Sequence, residues 1–266
     1  MSNALRHVYI YTDFPSQALS IEGIIDFLHK FGLKNIIYGG NIIEYLNLKS
    51  DERLELARSI SSFIVKDINH PNDTLQAVDN LEAELELKRL EGKISYLGNL
   101  YDGFWLQRIL YKVMSEKLNQ DVSIGVLHLI LTSRLFGTFD KKRYHARVIL
   151  LGLPSLISTS GIVEAPARPK EYYWLKAGFI QGGKDITQLD EIYKGMFVEY
   201  DDSRLTSILG AYVLQAVSYE ITGKAFCEDP SCCLYNSHWQ EEVLRAQLEG
   251  KLCEEHRDIF PRFDEM

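Results

Sequence analysis

Cysteine is absent from the first 226 residues of this 266-residue chain and then appears four times, at Cys227, Cys232, Cys233 and Cys253. The spacing is C-x4-C, twenty intervening residues, then C-x2-H ending at His256. Two knuckles of soft donors separated by a helix-sized spacer suit a tetrahedral metal, which takes thiolate and imidazole ligands from both ends of such a loop. Cys227, Cys232, Cys253 and His256 are therefore the candidate ligands of one structural Zn2+. Cys233 directly follows Cys232, so one of the pair should face the metal and the other the core. Two plainer accounts compete. Cysteine also serves as a small buried hydrophobe, but these cysteines cluster among polar neighbours. Disulfides belong to secreted chains, and no secretory segment is read at the N-terminus.

The rest of the composition narrows the class. Hydrophobic residues make up 46% of the chain, enough for a sizeable core, and fifteen tyrosines give that core polar handles. The net charge of −8 argues against a general nucleic-acid or anionic-membrane surface. The longest apolar runs, Val126–Leu131 and Val148–Leu153, are strand-sized and far short of the ~20 residues of a membrane span. A cytoplasmic protein is expected.

Along the chain, His7–Thr12 reads as a strand by its β-branched and aromatic content. A turn follows at Asp13-Phe14-Pro15-Ser16. Ser20 can cap a helix to Phe31, and Lys34–Tyr38 is a second strand, giving a β-α-β opening with a parallel pair. Gly39-Gly40 reads as a turn. Ser50 can cap a helix that His70-Pro71-Asn72-Asp73 breaks. Residues 74–98 hold Glu82, Glu84, Glu86, Lys88, Arg89, Glu91 and Lys93, which read as a solvated charged face on a helix or edge hairpin. Asp102–Leu118 is a helix, Ser123–Leu131 a strand with His128 as a hydrogen-bonded core residue, and Arg147–Leu151 a further strand. Ser158–Glu164 reads as a polar loop or hairpin. Its hydroxyls, with His145 and Glu164, offer a nucleophile arrangement, but the strand-turn-helix elbow of a G-x-S-x-G hydrolase is not read there. Pro166–Tyr173 reads as a basic-aromatic extended crossing. Asp202 or Ser203 can cap a long helix from Leu205 to about Gly223, with Leu205, Ile208, Leu209, Tyr212, Ala216 and Tyr219 on its buried side. Gln240–Leu252 is a shorter helix between the knuckles.

With that helix and its cysteines in view, the C-terminal half resembles the archaemetzincins. These are metzincin-type zinc peptidases with H-E-x-x-H-x-x-G-x-x-H-C, a following x4-C, a Met-turn and a closing C-x2-C. Registered on the cysteine, Ala216-Val217-Ser218-Tyr219-Glu220-Ile221-Thr222-Gly223-Lys224-Ala225-Phe226-Cys227 occupies that motif. Leu234 stands at the Met-turn methionine, and Cys253-x2-His256 stands at the closing pair. The resemblance places Ala216, Glu220 and Phe226 where three zinc histidines belong, and Val217 where the general base belongs. One carboxylate flanked by Ala and Phe does not make the three-ligand site that a catalytic zinc needs. Ala216 and Phe226 are expected in the core, Val217 in the space of the lost base, and Glu220 paired, solvated or lining a vestigial cleft.

The resemblance and the alternating elements together imply an α/β fold. It would be a metzincin-like mixed, mostly parallel twisted sheet with packed helices and a small zinc-knuckled C-terminal part. A single domain is expected, with residues 1–223 as the α/β core and 224–266 as the structural-zinc part. Two function classes stay open. One is a metallopeptidase-related protein without the catalytic zinc that binds a polypeptide or other partner. The other is an active peptidase or hydrolase using the Glu220 cleft or the His145 and Ser158–Glu164 region. A nucleic-acid zinc ribbon is disfavoured by the acidic charge, and no membrane partner is expected.

Overall fold

A computed structural model describes residues 5–14, 18–72, 79–94, 98–118 and 125–260. Strand β1 (His7–Thr12) leads to α1 (Ile21–His29), whose N-terminus is closed by Ser20 Oγ accepting from the Gly23 N–H at 3.0 Å. The chain returns as β2 (Ile36–Asn41), parallel to β1 as the opening predicts. Gly39-Gly40 lies inside this strand rather than in a turn. The register shifts opposite Ile10 and Tyr11, where Gly40 takes φ 75°, and a Cβ on Gly39 would strike the Tyr11 ring. Next come α2 (Ile42–Tyr45) and α3 (Ser50–Ser61). Ser50 is the first residue of α3 and not its cap; Glu52 closes that end by accepting from the Lys49 N–H at 2.8 Å. Asp73, Pro15 and Ser16 lie outside the described residues.

The charged stretch forms α4 (Asn80–Leu90), but its charge is not all solvated. Glu86 and Arg89 are buried. They meet Asp13 and Arg134 at the C-terminal ends of the central strands. The Arg134 guanidinium pairs with both Asp13 and Glu86. Tyr101 donates to Glu86 at 2.7 Å and Arg89 to Ser133 Oγ at 2.7 Å. Burial would lower the Arg134 pKa, but Glu86 and Asp13 outweigh it and hold it above its ordinary value. Two carboxylates and two guanidiniums balance, which is how buried charge is tolerated.

Strand β3 (Leu100–Asp102) precedes α5 (Gly103–Leu118), and β4 (Val126–Thr132) follows; the expected start of that strand at Ser123 lies outside the described residues. His128 is a buried core residue, 3.0 Å from the Tyr11 hydroxyl through Nδ1. Next come β5 (Leu135–Asp140), β6 (Arg143–Arg147), β7 (Ile149–Leu150) and β8 (Ser155–Ser158), then α6 (Thr159–Glu164), α7 (Lys170–Gln181) and α8 (Thr187–Ile192). The chain ends with α9 (Leu205–Thr222), α10 (Gln240–Ala246) and α11 (Glu254–Arg257). Two sequence expectations fail here. Ser158–Glu164 is the end of a strand running into a helix, and Lys170–Tyr173 is helical. The exposed turns of α7 carry apolar residues without a single buried face, so the helical period is hidden.

The main sheet has the order β2-β1-β4-β8-β7, parallel except for β7, which runs antiparallel at the edge. A second sheet, β3-β5-β6, packs beside it. Side chains alternate across the main sheet as strand geometry requires. Val8, Ile10, Leu129, Leu131 and Ile157 meet α1, α9 and the cysteine tail. Tyr11, Ile130 and Leu156 meet α2, α3 and α5. Both faces are thus covered, which explains the continuous apolar run of β4. No helix among the described residues is long and apolar enough to cross a membrane.

Candidate metal centre and adjoining cleft

Helix α9 positions the site. It lies between the sheet and the tail, and every residue from Ile208 to Ser218 is buried. Gly223 then takes φ 74°, a conformation open to glycine, and ends the helix with its N–H on Tyr219 O. The chain turns back through Cys227, whose N–H donates to Leu234 O at 2.9 Å. The Asp229 N–H points at Cys227 Sγ at 3.3 Å, and Cys232 N–H closes the turn on Asp229 O at 3.0 Å. Such a knuckle aims amides at sulfur and presents both thiols on one side.

The second knuckle brings Cys253 and His256 to the first. The donor atoms of Cys227, Cys232, Cys253 and His256 all lie within 4.8 Å of one another. Cys227 Sγ and Cys253 Sγ are 3.8 Å apart, and Cys253 Sγ is 3.0 Å from His256 Nδ1. Two Zn–S bonds of about 2.3 Å at a tetrahedral angle would set sulfurs about 3.8 Å apart. Three thiols and one imidazole are a donor set suited to zinc, and the spacing fits. Cys233 is buried outside the four-donor set; its N–H donates to Lys251 O, and its carbonyl accepts from Gln247 at 3.2 Å.

The thiols differ in acidity. Burial pushes Cys227 up to about 12. The hydrogen bond from Cys233 draws Cys232 down to about 5 against the opposing effect of burial. That same bond, together with burial, pushes Cys233 well up. Without a cation the cluster accommodates one thiolate readily. A divalent ion would supply the charge that holds the others deprotonated.

Beside this cluster is a cleft of about 330 Å3. Edge strand β7 (Ile149, Leu150) forms one wall. Tyr212 and Gln215 of α9 line it, with Phe226 and the turn from Tyr235 to His238. Phe226, at a zinc-histidine position in the resemblance, was expected to pack in the core. Instead it is 41% exposed and lines the cleft, because the chain has already left the helix at Gly223. Ala216 and Val217 are buried as expected, while Glu220 is half-buried and away from the lining. Tyr219, expected inside, is 40% exposed at the frayed end of α9.

The members of the alternative nucleophile set each have other hydrogen-bond partners. Ser158 Oγ donates to Arg134 O and accepts from the Gly161 N–H, both at 2.7 Å, as the cap of α6. His145 Nε2 lies 3.2 Å from Asp140 O, and Glu164 accepts from Tyr200 at 2.8 Å. The sequence reading missed three buried glutamines. Gln215 and Gln247 donate to Tyr235 O at 3.1 and 2.7 Å, clamping the turn between cluster and cleft. Gln240 donates to Ile162 O and accepts from the Val198 N–H. Their signal was a lone amide in an apolar helical stripe, which is weak. Gln215 Oε1 has no hydrogen-bond partner among the described residues although it is buried.

No curated protein matches the chain. A zinc-dependent peptidase from Methanocorpusculum labreanum, known from its crystal structure, is similar over 94% of this chain and 98% of that one, at 12% identity and a TM-score of 0.48. A family model described as a probable metallopeptidase family matches residues 4–263, nearly the whole sequence. The chain therefore belongs to the probable metallopeptidase family DUF6775.

Proposed function

We propose that this is a metallopeptidase-family protein of archaemetzincin type. In this reading it holds one structural zinc through Cys227, Cys232, Cys253 and His256 and binds polypeptide in the adjoining cleft without cleaving it. One observation carries the reading. The four soft donors converge outside the cleft, while the cleft lining contains one imidazole, His238, and no thiol or carboxylate. A catalytic zinc needs about three protein ligands and an open position for water. The structural zinc would cross-link the end of α9 to the last knuckle and fix the turn that floors the cleft. Edge strand β7 has one ladder side paired with β8 and the other toward the cleft, so an extended chain could add to it by main-chain hydrogen bonds. Gln215 Oε1 offers a further buried acceptor for an incoming N–H.

The test is zinc content by elemental mass spectrometry, together with a broad peptide-cleavage screen. One zinc per chain, lost in Cys253→Ser, with no cleavage of any peptide supports the reading. A second zinc, or cleavage abolished by Glu220→Ala, would replace it with an active peptidase.

A further inference from the structure

Helices α7 and α8 stand apart from both cores. Their own small core is Tyr172, Leu189 and Phe197, with Phe179 and Tyr193 packed against it. Tyr172 meets Phe197 edge-on, and the Arg168 guanidinium lies over both rings at 4.6 and 4.9 Å. The excursion is therefore a shaped body. Yet its outside is apolar: Trp174 is 72% exposed, Ile192 61%, Ile180 58% and Met196 52%, with Tyr173 and Leu175 also exposed. So many large apolar side chains exposed on one small body mark an interaction surface.

Charge selects the occupant. The α7 half carries Lys170, Lys176 and Lys184 against Glu171. The α8 half carries Asp185, Glu191 and Glu199 against Lys194. A basic half and an acidic half thus share one apolar body. An anionic lipid surface would attract the first and repel the second. A two-fold axis sets each half against its opposite, since in an isologous pair residue i meets j and j meets i.

We propose that this face docks a second copy of the chain, α7 of one copy lying along α8 of the other. The experiment is sedimentation equilibrium on the full, zinc-replete chain from below to above micromolar concentration. The mass should move from 30.6 kDa toward twice that value. Trp174→Glu with Ile192→Glu should remain at 30.6 kDa with an unchanged circular dichroism spectrum. Lys170→Glu with Lys184→Glu should weaken association about tenfold or more. Adding Glu191→Lys and Glu199→Lys should restore it, which a merely misfolded variant would not do. A wild-type chain that stays monomeric, or a dimer that survives the Trp174 and Ile192 changes, overturns the proposal. So does a monomer that floats with phosphatidylserine vesicles through Trp174, which would assign the face to lipid.

Discussion

At the scale of the residue, the candidate metal cluster sets three thiols and an imidazole in a geometry the two knuckles impose. Cys227 is held as a thiol up to about 12 by burial, so a cation entering at neutral pH must expel its proton. Zinc affinity should therefore rise with pH through the neutral range, and metal should be released as pH falls and protons reclaim the thiolates. A chelator competition at several pH values checks the sign; affinity flat in pH would exclude thiolate ligation. Gln247 acts one step out. Gln247→Ala removes the 2.7 Å bond to Tyr235 O and leaves the turn to Gln215 alone. We expect a loss of about 1–3 kcal/mol in urea denaturation, with weaker zinc retention because the Tyr235 N–H in turn donates to Cys232 O at 2.9 Å.

At the scale of the element, two junctions decide how chain direction changes near the site. Gly223 ends α9 at φ 74°, and a Cβ there would meet no neighbour, so any cost is backbone strain alone. Gly223→Ala should cost about 1 kcal/mol by thermal melting, with the zinc content unchanged. Ser158 ends β8 and caps α6 through two bonds inside the core. Ser158→Ala should destabilise by about 1–3 kcal/mol. If Ser158 were a nucleophile, its removal would abolish a turnover without moving stability. Measuring both distinguishes cap from catalyst.

At the scale of the molecule, a sheet covered on both faces brings distant segments to one point. Asp13, the α4 pair Glu86 and Arg89, and Arg134 come from three separate stretches and neutralise one another in the interior. Removing one partner leaves a buried charge unpaired. Arg134→Met should cost about 3–5 kcal/mol in denaturant midpoint, whereas Lys66→Met, at an exposed pair with Glu82, should cost less than about 1 kcal/mol. Equal effects would mean that the interior cluster is solvated.

Much of the chain was legible because local rules and tertiary needs agree there. The β-α-β opening, α5, α9 and the four metal donors follow from period, capping and the chemistry of Cys and His, which read the same in an extended chain as in a folded one. Other features depend on what the fold places next to each residue. Glu86 and Arg89 look like solvent charges until Arg134 and Asp13 arrive to pair them. Phe226 looks like core until Gly223 turns the chain outward into the cleft. α7 has no apolar stripe of its own, because Tyr172 is its one buried residue and most of its apolar side chains are exposed. The sequence by itself singled out the candidate donors of a metal centre and the α/β order of elements, since those rest on local periodicity and side-chain chemistry. Only the tertiary structure decided which charges are buried, which wall the cleft has and which face is left open, since burial and pairing are properties of neighbours far apart in sequence.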